Sequence, residues 1–152
     1  MRAKRFRAAH PRNGNTIHLL GKPADRTQSM HERNNARRAL VVEDEWFLRM
    51  ELVDGMAAAG WTLREAATGE VAMDLLAEAT AFDLLVTDIR LPGPTDGWQV
   101  AEAFRVAFPR APVVYVSANP DLPHRRVKDS VFLDKPCDID RLLAICERLA
   151  AG

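Results

Sequence analysis

The chain reads as a three-layer, doubly wound α/β domain built on a five-stranded parallel sheet. Two observations predict this. Short apolar runs bounded by turn residues recur between Leu40 and Leu133, the pattern of strands buried on both faces. Between them lie segments whose apolar residues follow helical spacing. Strands alternating with helices imply right-handed crossovers and helices on both sheet faces.

The first strand covers 38–43, around Leu40-Val41-Val42. A helix follows at 45–59, with Phe47, Leu48, Leu52, Val53, Met56 and Ala59 on its apolar face and Gly60 as its stop. Trp61–Glu65 forms the second strand. Thr68 has the hydroxyl to cap a second helix, which carries Val71, Leu75 and Leu76 at helical spacing. The third strand is Phe82–Thr87. The loop Arg90-Leu91-Pro92-Gly93-Pro94-Thr95 leads to a third helix at 96–107, packed through Trp98, Val100, Ala101 and Phe104 and ended by Pro109. Pro112–Ser117 is the fourth strand and Val131–Leu133 the fifth. Between these two, residues 119–128 hold two prolines and almost no apolar face, so an irregular loop or about one helical turn is expected. Asp138 caps the final helix, whose buried stripe is Leu142, Leu143, Ile145 and Leu149.

A chain of 152 residues with 47% apolar and 28% charged content suits one soluble globular domain. No apolar stretch reaches the length of a membrane span, and the basic N-terminus lacks the apolar core of a secretory signal. Cys137 and Cys146 lack metal-ligand spacing, and two isolated thiols fit a reducing cytoplasm. The net charge of zero hides an asymmetry. Residues 1–38 hold ten Lys/Arg against two Asp/Glu, and the remainder holds eleven against nineteen. Residues 1–37 are therefore expected to form a disordered basic extension, and 38–152 the folded domain. A nucleic-acid-binding arm through Arg2, Lys4, Arg5 and Arg7 is the sharper alternative. No aromatic interleaving or motif supports it, so neither nucleic acid nor membrane is an expected partner.

Polar residues close four of the apolar runs. Glu43-Asp44-Glu45 follows the first strand, Asp88 the third, Ser117 the fourth, and Lys135 the fifth. In an open α/β sheet, chemistry collects at the carboxyl ends of the strands. One crevice would then hold a carboxylate cluster, a hydroxyl and an ammonium, a set suited to a divalent cation and a phosphoryl group. Taken singly, each residue has a structural explanation. Asp44 and Glu45 suit the start of a helix, Asp88 a turn, Ser117 a strand end, Lys135-Pro136 a solvated turn and Phe132 the core.

Their order along the chain resembles a receiver domain of bacterial response regulators, the stand-alone, alphaproteobacterial-like form included. The resemblance spans about residues 38–150. It rests on Leu40-Val41-Val42-Glu43-Asp44-Glu45, Thr87-Asp88-Ile89-Arg90-Leu91-Pro92-Gly93, Asp96-Gly97, Ser117-Ala118 and Lys135-Pro136. It implies a flavodoxin-like sheet of order 2-1-3-4-5 and a role in two-component phosphorelay signalling. Asp88 would be the phosphoacceptor. Asp44, Asp88 and the main-chain carbonyl of Arg90 would hold Mg2+, with Glu43 close by or acting through water. Lys135 would pair with the carboxylate and then the phosphoryl oxygens, Ser117 would donate a hydrogen bond to them, and Phe132 matches the aromatic switch position. The donor would be a histidine kinase or a histidine phosphotransfer protein, and the output an unknown downstream protein, with the chain a monomer or weak homodimer in the cytoplasm. No output domain is expected.

Three features depart from the family pattern. Arg90 and Asn119 occupy the two positions that, by the resemblance, would affect phosphoryl lifetime. The loop through Pro92 and Gly97 is one residue longer than usual. Only eighteen steps separate Ser117 from Lys135, so the fourth helix of the family is expected to be shortened or irregular. Two other readings compete. A pseudo-receiver would be an interaction module that takes no phosphate. A haloacid-dehalogenase-like phosphatase would need an acid two residues past the nucleophile, where Arg90 stands, so a phosphoacceptor switch is expected rather than an enzyme.

Overall fold

Five parallel strands and four helices make up the described part of the computed structural model, which covers residues 36–118 and 125–152. The expectations for segment 1–35 and for residues 119–124, Asn119 included, lie outside the described residues. In chain order the elements are β1 (Arg38–Val42), α1 (Trp46–Ala58), β2 (Thr62–Ala66), α2 (Gly69–Glu78), β3 (Leu84–Thr87), α3 (Gly97–Ala107), β4 (Val113–Ser117), β5 (Val131–Asp134) and α4 (Ile139–Ala150). The sheet order is β2-β1-β3-β4-β5 and every pairing is parallel. Both match the expected doubly wound fold, with element bounds displaced by one or two residues.

The two-residue period of a strand divides the core. Leu40, Val42, Leu85, Val113 and Tyr115 face α2 and α3, where they meet Ala72, Leu76, Trp98, Val100, Ala101 and Phe104. Ala39, Val41, Leu84, Val86, Val114, Val116 and Leu133 face α1 and α4, against Leu52, Met56, Leu142 and Cys146. Each central strand thus feeds both layers, which is why these runs are apolar throughout rather than alternating.

The helix starts follow capping chemistry. Thr68 accepts from the Val71 amide, as expected, and Asp138 accepts from that of Arg141. Asp96 and Gln99 form a reciprocal capping box at the start of α3. Gly60, at φ +90°, ends the first helix as expected. Three residues expected on apolar helix faces, Phe47, Ala59 and Val71, are instead exposed. Phe47 is 72% exposed and packs edge-on against Trp46 with ring centroids 4.8 Å apart. Leu48, Leu52 and Met56 define the inward stripe at intervals of four, and Phe47 falls beside it. Val71 lies one step off the Ala72–Leu76 stripe for the same reason.

The amino-terminal rim of the sheet is tied down by a polar clamp and an aromatic group. Arg37 makes a two-pronged ion pair with Glu147 on α4, at 2.7 and 2.8 Å, and its guanidinium lies over the Trp61 ring. The indole N–H of Trp61 also donates to Glu147. Nearby, Phe82, Phe104 and Phe108 pack ring against ring.

At the opposite rim, backbone approaches backbone. A Cβ on Gly97 would lie 1.8 Å from the carbonyl oxygen of Asp88, and the Gly97 amide donates to the Ile89 carbonyl at 2.9 Å. Only glycine permits that approach, so Asp88 is seated directly against the start of α3. Gly97→Ala is expected to destabilise the protein by about 1–3 kcal/mol, the ordinary cost of forcing an extra methyl into filled space. Urea denaturation of the two proteins measures it, and equal midpoints would contradict the close approach.

Candidate functional site

Four strands deliver the expected residues to one rim. Glu43 and Asp44 follow β1, Asp88 follows β3, Ser117 ends β4, and Lys135 follows β5. Because the strands are parallel, all these ends point the same way and the residues converge. Lys135 Nζ lies 2.7 Å from Asp88 Oδ2 and 2.8 Å from Glu43 Oε2. Carboxylate oxygens of Glu43, Asp44 and Asp88 lie within 4.8 Å of one another.

Asp88 is held by its own backbone surroundings. Its amide donates to the Val42 carbonyl at 2.8 Å, extending the β1–β3 pairing by one residue. Its Oδ1 accepts from the amides of Ile89 at 2.5 Å and Arg90 at 3.1 Å. The turn role open to an aspartate here is therefore real, and it leaves Oδ2 for Lys135. Thr87 Oγ1 donates to the Asp88 carbonyl. The side chain is buried, yet it opens into a cleft of about 210 Å³ lined with Arg90, Ser117 and Ala118.

Glu43 is only 1% exposed, whereas Asp44 is exposed. Glu43 Oε1 accepts from the Glu45 amide at 3.1 Å. Oε2 sits beside the ammonium but has no aligned hydrogen bond, so a buried acceptor there retains capacity. Burial pushes the Glu43 carboxyl above its ordinary range, against the pull of Lys135 and the Glu45 amide. For Lys135, burial acts downward, but the contacts with Asp88 and Glu43 outweigh it and the net shift is upward. A set of hard oxygen donors around an under-satisfied buried oxygen fits a small divalent cation such as Mg2+.

The acidic turn is also braced from α1. Arg49 Nη1 donates to the Glu43 carbonyl at 2.7 Å and, more weakly, to that of Asp44 at 3.4 Å. Its Nε donates to Glu65 of β2 at 3.1 Å. Sequence reasoning passes over this residue. The available signal is a cation in the first turn of a helix, where the dipole disfavours it. On the far side of Asp88, the Arg90–Asp96 loop is fastened to α2, since Glu70 accepts from the Thr95 amide at 2.9 Å and Gly69 packs directly under Thr95.

Ser117 closes β4 and Phe132 lies within β5. Ser117 is buried at the cleft wall, and its carbonyl accepts from the Lys135 amide at 3.0 Å. Phe132 is half-buried, pairs in register with Tyr115 and packs on the α2–α3 side of the core. Arg90 is exposed at the cleft mouth. Tyr115 carries no sequence signal beyond its place in the fourth strand. It is fully buried, stacks near Trp98, and its hydroxyl accepts from the Val127 amide at 3.3 Å, tying β4 to the segment before β5.

The architecture and sequence can be compared with those of known proteins. Residues 39–147 match the family model of the response regulator receiver domain. The chain therefore belongs to that family, the receiver modules of two-component response regulators. It is 34% identical over 112 residues to the DNA-binding transcriptional regulator NtrC of Escherichia coli, a match covering 71% of this chain and 24% of that protein. The chain thus spans about a quarter of the length of that relative. Among solved structures, a response regulator receiver protein from Sinorhizobium medicae is 32% identical with a TM-score of 0.74, covering 78% of this chain and 98% of its own. The response regulator protein TrrA from Thermotoga maritima, solved in complex with Mg2+-BeF, is 27% identical with a TM-score of 0.64, covering 74% of this chain and 98% of its own. No helix among the described residues is long and apolar enough to cross a membrane.

Removing the Lys135 charge tests the electrostatics. Lys135→Met leaves two facing carboxylates and is expected to cost on the order of 2 kcal/mol near neutral pH, less than a fully dry pair because the lysine is partly wet. A carboxyl whose folded value is raised binds more protons folded than unfolded. Stability from Glu43 therefore falls as pH climbs from the ordinary value of 4.5 through the raised one. The deficit of the variant is expected to shrink as pH falls through that window, measured by urea denaturation at several pH values. In the parent, stability due to Lys135 is fully present below 10.5 and lost as pH rises through its higher folded value. An alkaline loss of equal size in Lys135→Met would contradict this assignment.

Proposed function

We propose that the chain is a phosphoacceptor switch that takes a phosphoryl group on Asp88 from a histidine kinase or a histidine phosphotransfer protein. The observation that carries this reading is the placement of Asp88 between Lys135 at 2.7 Å and the acidic pair Glu43 and Asp44, beside an open cleft. In the transfer, the P–N bond of the donor phosphohistidine breaks with its electron pair left on the imidazole, which takes up a proton. A P–O bond forms to a carboxylate oxygen of Asp88.

Asp44 and Asp88, with the Arg90 carbonyl, would hold Mg2+, and Glu43 would act from beside it. When bound, the ion neutralises charge on the transferring group. The complex of the related TrrA protein with Mg2+-BeF supports this choice of cation. The remaining steps belong to the chain's own residues. The amides of Ile89 and Arg90 orient the Asp88 carboxylate. Lys135 stays beside it as a compact cation able to follow the new phosphoryl oxygens. Ser117, at the cleft wall, donates its hydroxyl to the phosphoryl group. Phe132, only half-buried, moves into the space that Ser117 leaves, which reshapes the β4–β5 face for a downstream protein.

The role is that of a switch, with no separate substrate turned over. An aspartyl phosphatase of the haloacid dehalogenase kind needs an acid two residues past the nucleophile, and Arg90 occupies that position. Cytoplasmic placement and a monomer or weak dimer complete the reading.

Incubation with Mg2+ and acetyl phosphate is expected to add the mass of one phosphoryl group, seen by intact mass spectrometry. Asp88→Asn should abolish the adduct, and chelation of the metal should suppress it. If neither acetyl phosphate nor phosphorylated kinases modified the protein, an interaction module that is never phosphorylated would be the better account.

A further inference from the structure

The Arg49 contacts do more than close a helix end. Arg49 lies in the first turn of α1, a position where a cation is disfavoured by the helix dipole. That helix also begins without a side-chain cap and without an acid in its first turn. Side chains of a helix slant towards its N-terminus, so Arg49 reaches back over the turn that carries the site acids. Its guanidinium grips the carbonyl of Glu43 at 2.7 Å and approaches that of Asp44 at 3.4 Å. The other edge of the same planar group is held by Glu65 at 3.1 Å. The side chain is 15% exposed, and the Glu65 side chain is 56% exposed. The Glu43 amide is fixed separately by the Ala66 carbonyl at 3.0 Å, one residue after Glu65. Both peptide groups of Glu43 are therefore tied down, one through β2 directly and one through Arg49.

We propose that Arg49 is a positioning residue for the divalent-cation site, setting the main chain of Glu43 and Asp44 so that their carboxylates meet Asp88, with Glu65 orienting the guanidinium and cancelling its charge. This inference rests on the reading of the site as a Mg2+ site. It carries a sign that separates it from simple electrostatics. A cation so near a metal site repels the metal, so deleting it should tighten binding if charge were its whole effect. A positioning role requires the opposite. Glu65 resolves the conflict, because the paired guanidinium presents little net charge while its planar fork keeps its geometry.

The test is Mg2+ titration of the full chain, followed by calorimetry and by the fluorescence of Trp46, which lies two residues past Asp44. Arg49→Gln is expected to weaken Mg2+ binding by about tenfold, the usual effect of losing a partner that orients a metal ligand. Arg49→Lys should recover part of that loss, since an ammonium reaches one carbonyl but cannot fork. Glu65→Gln should weaken binding by a smaller factor, more so at low salt, where the bared charge is least screened. The melting temperature of each metal-free variant is recorded alongside. Should Arg49→Gln fail to fold, the lysine and Glu65 variants decide the matter. Unchanged or tighter Mg2+ binding in folded variants, with or without a lowered melting temperature, overturns the proposal. Absence of Mg2+ binding by the parent protein would instead overturn the reading of the site itself, and this inference with it.

Discussion

One ammonium group bridging two buried carboxylates sets the terms for the rest of this molecule. Glu43 and Asp88 belong to the ends of neighbouring strands, and both are withdrawn from water. Side by side and unpaired, two such carboxylates would repel each other with little water to screen them. Lys135, arriving from the edge of the sheet, lies within 2.8 Å of both. The position of β5 beside β4, and of β4 beside β3, therefore has an electrostatic consequence as well as a packing one. A sheet that set β5 elsewhere would strand two acids.

The carboxylates are useful only if their backbones do not drift, and each is braced from a different direction. Asp88 has α3 pressed against its carbonyl through the missing side chain of Gly97. The following loop is hooked to α2 by Glu70. Burial cannot supply such directional restraint, because apolar contacts are nearly isotropic. Hydrogen bonds and close backbone contacts provide it, and they cluster at this rim. The local geometry therefore fixes the direction of each carboxylate as well as its depth.

Much of this was legible in the residues. The runs around Val41, Leu85 and Val114 gave buried strands because apolar side chains on both faces leave no other consistent reading. Thr68 and Asp138 marked helix starts because a short acceptor before an apolar stripe has one obvious use. Asp88, Lys135 and the Glu43–Asp44 pair could be gathered because strand ends in a parallel sheet share a rim. What escaped depends on directions in space. Phe47 falls off the buried face because one step along a helix turns the side chain by about 100°, and the register of the stripe is fixed by packing. The hold of Arg49 on two carbonyls and the burial of the Tyr115 hydroxyl involve partners that no linear spacing identifies.

The two ends of the sheet are built from different materials. At the amino ends, Phe82, Phe104 and Phe108 interlock and Trp61 lies under Arg37 and against Glu147. At the carboxyl ends, charged and hydroxylic groups face an open cleft. The amino ends are therefore closed by packed rings, while the carboxyl ends stay open to solvent. Substitutions can accumulate around the cleft while the aromatic foundation keeps the domain folded, so the chemistry of one rim can diverge without loss of the scaffold's integrity.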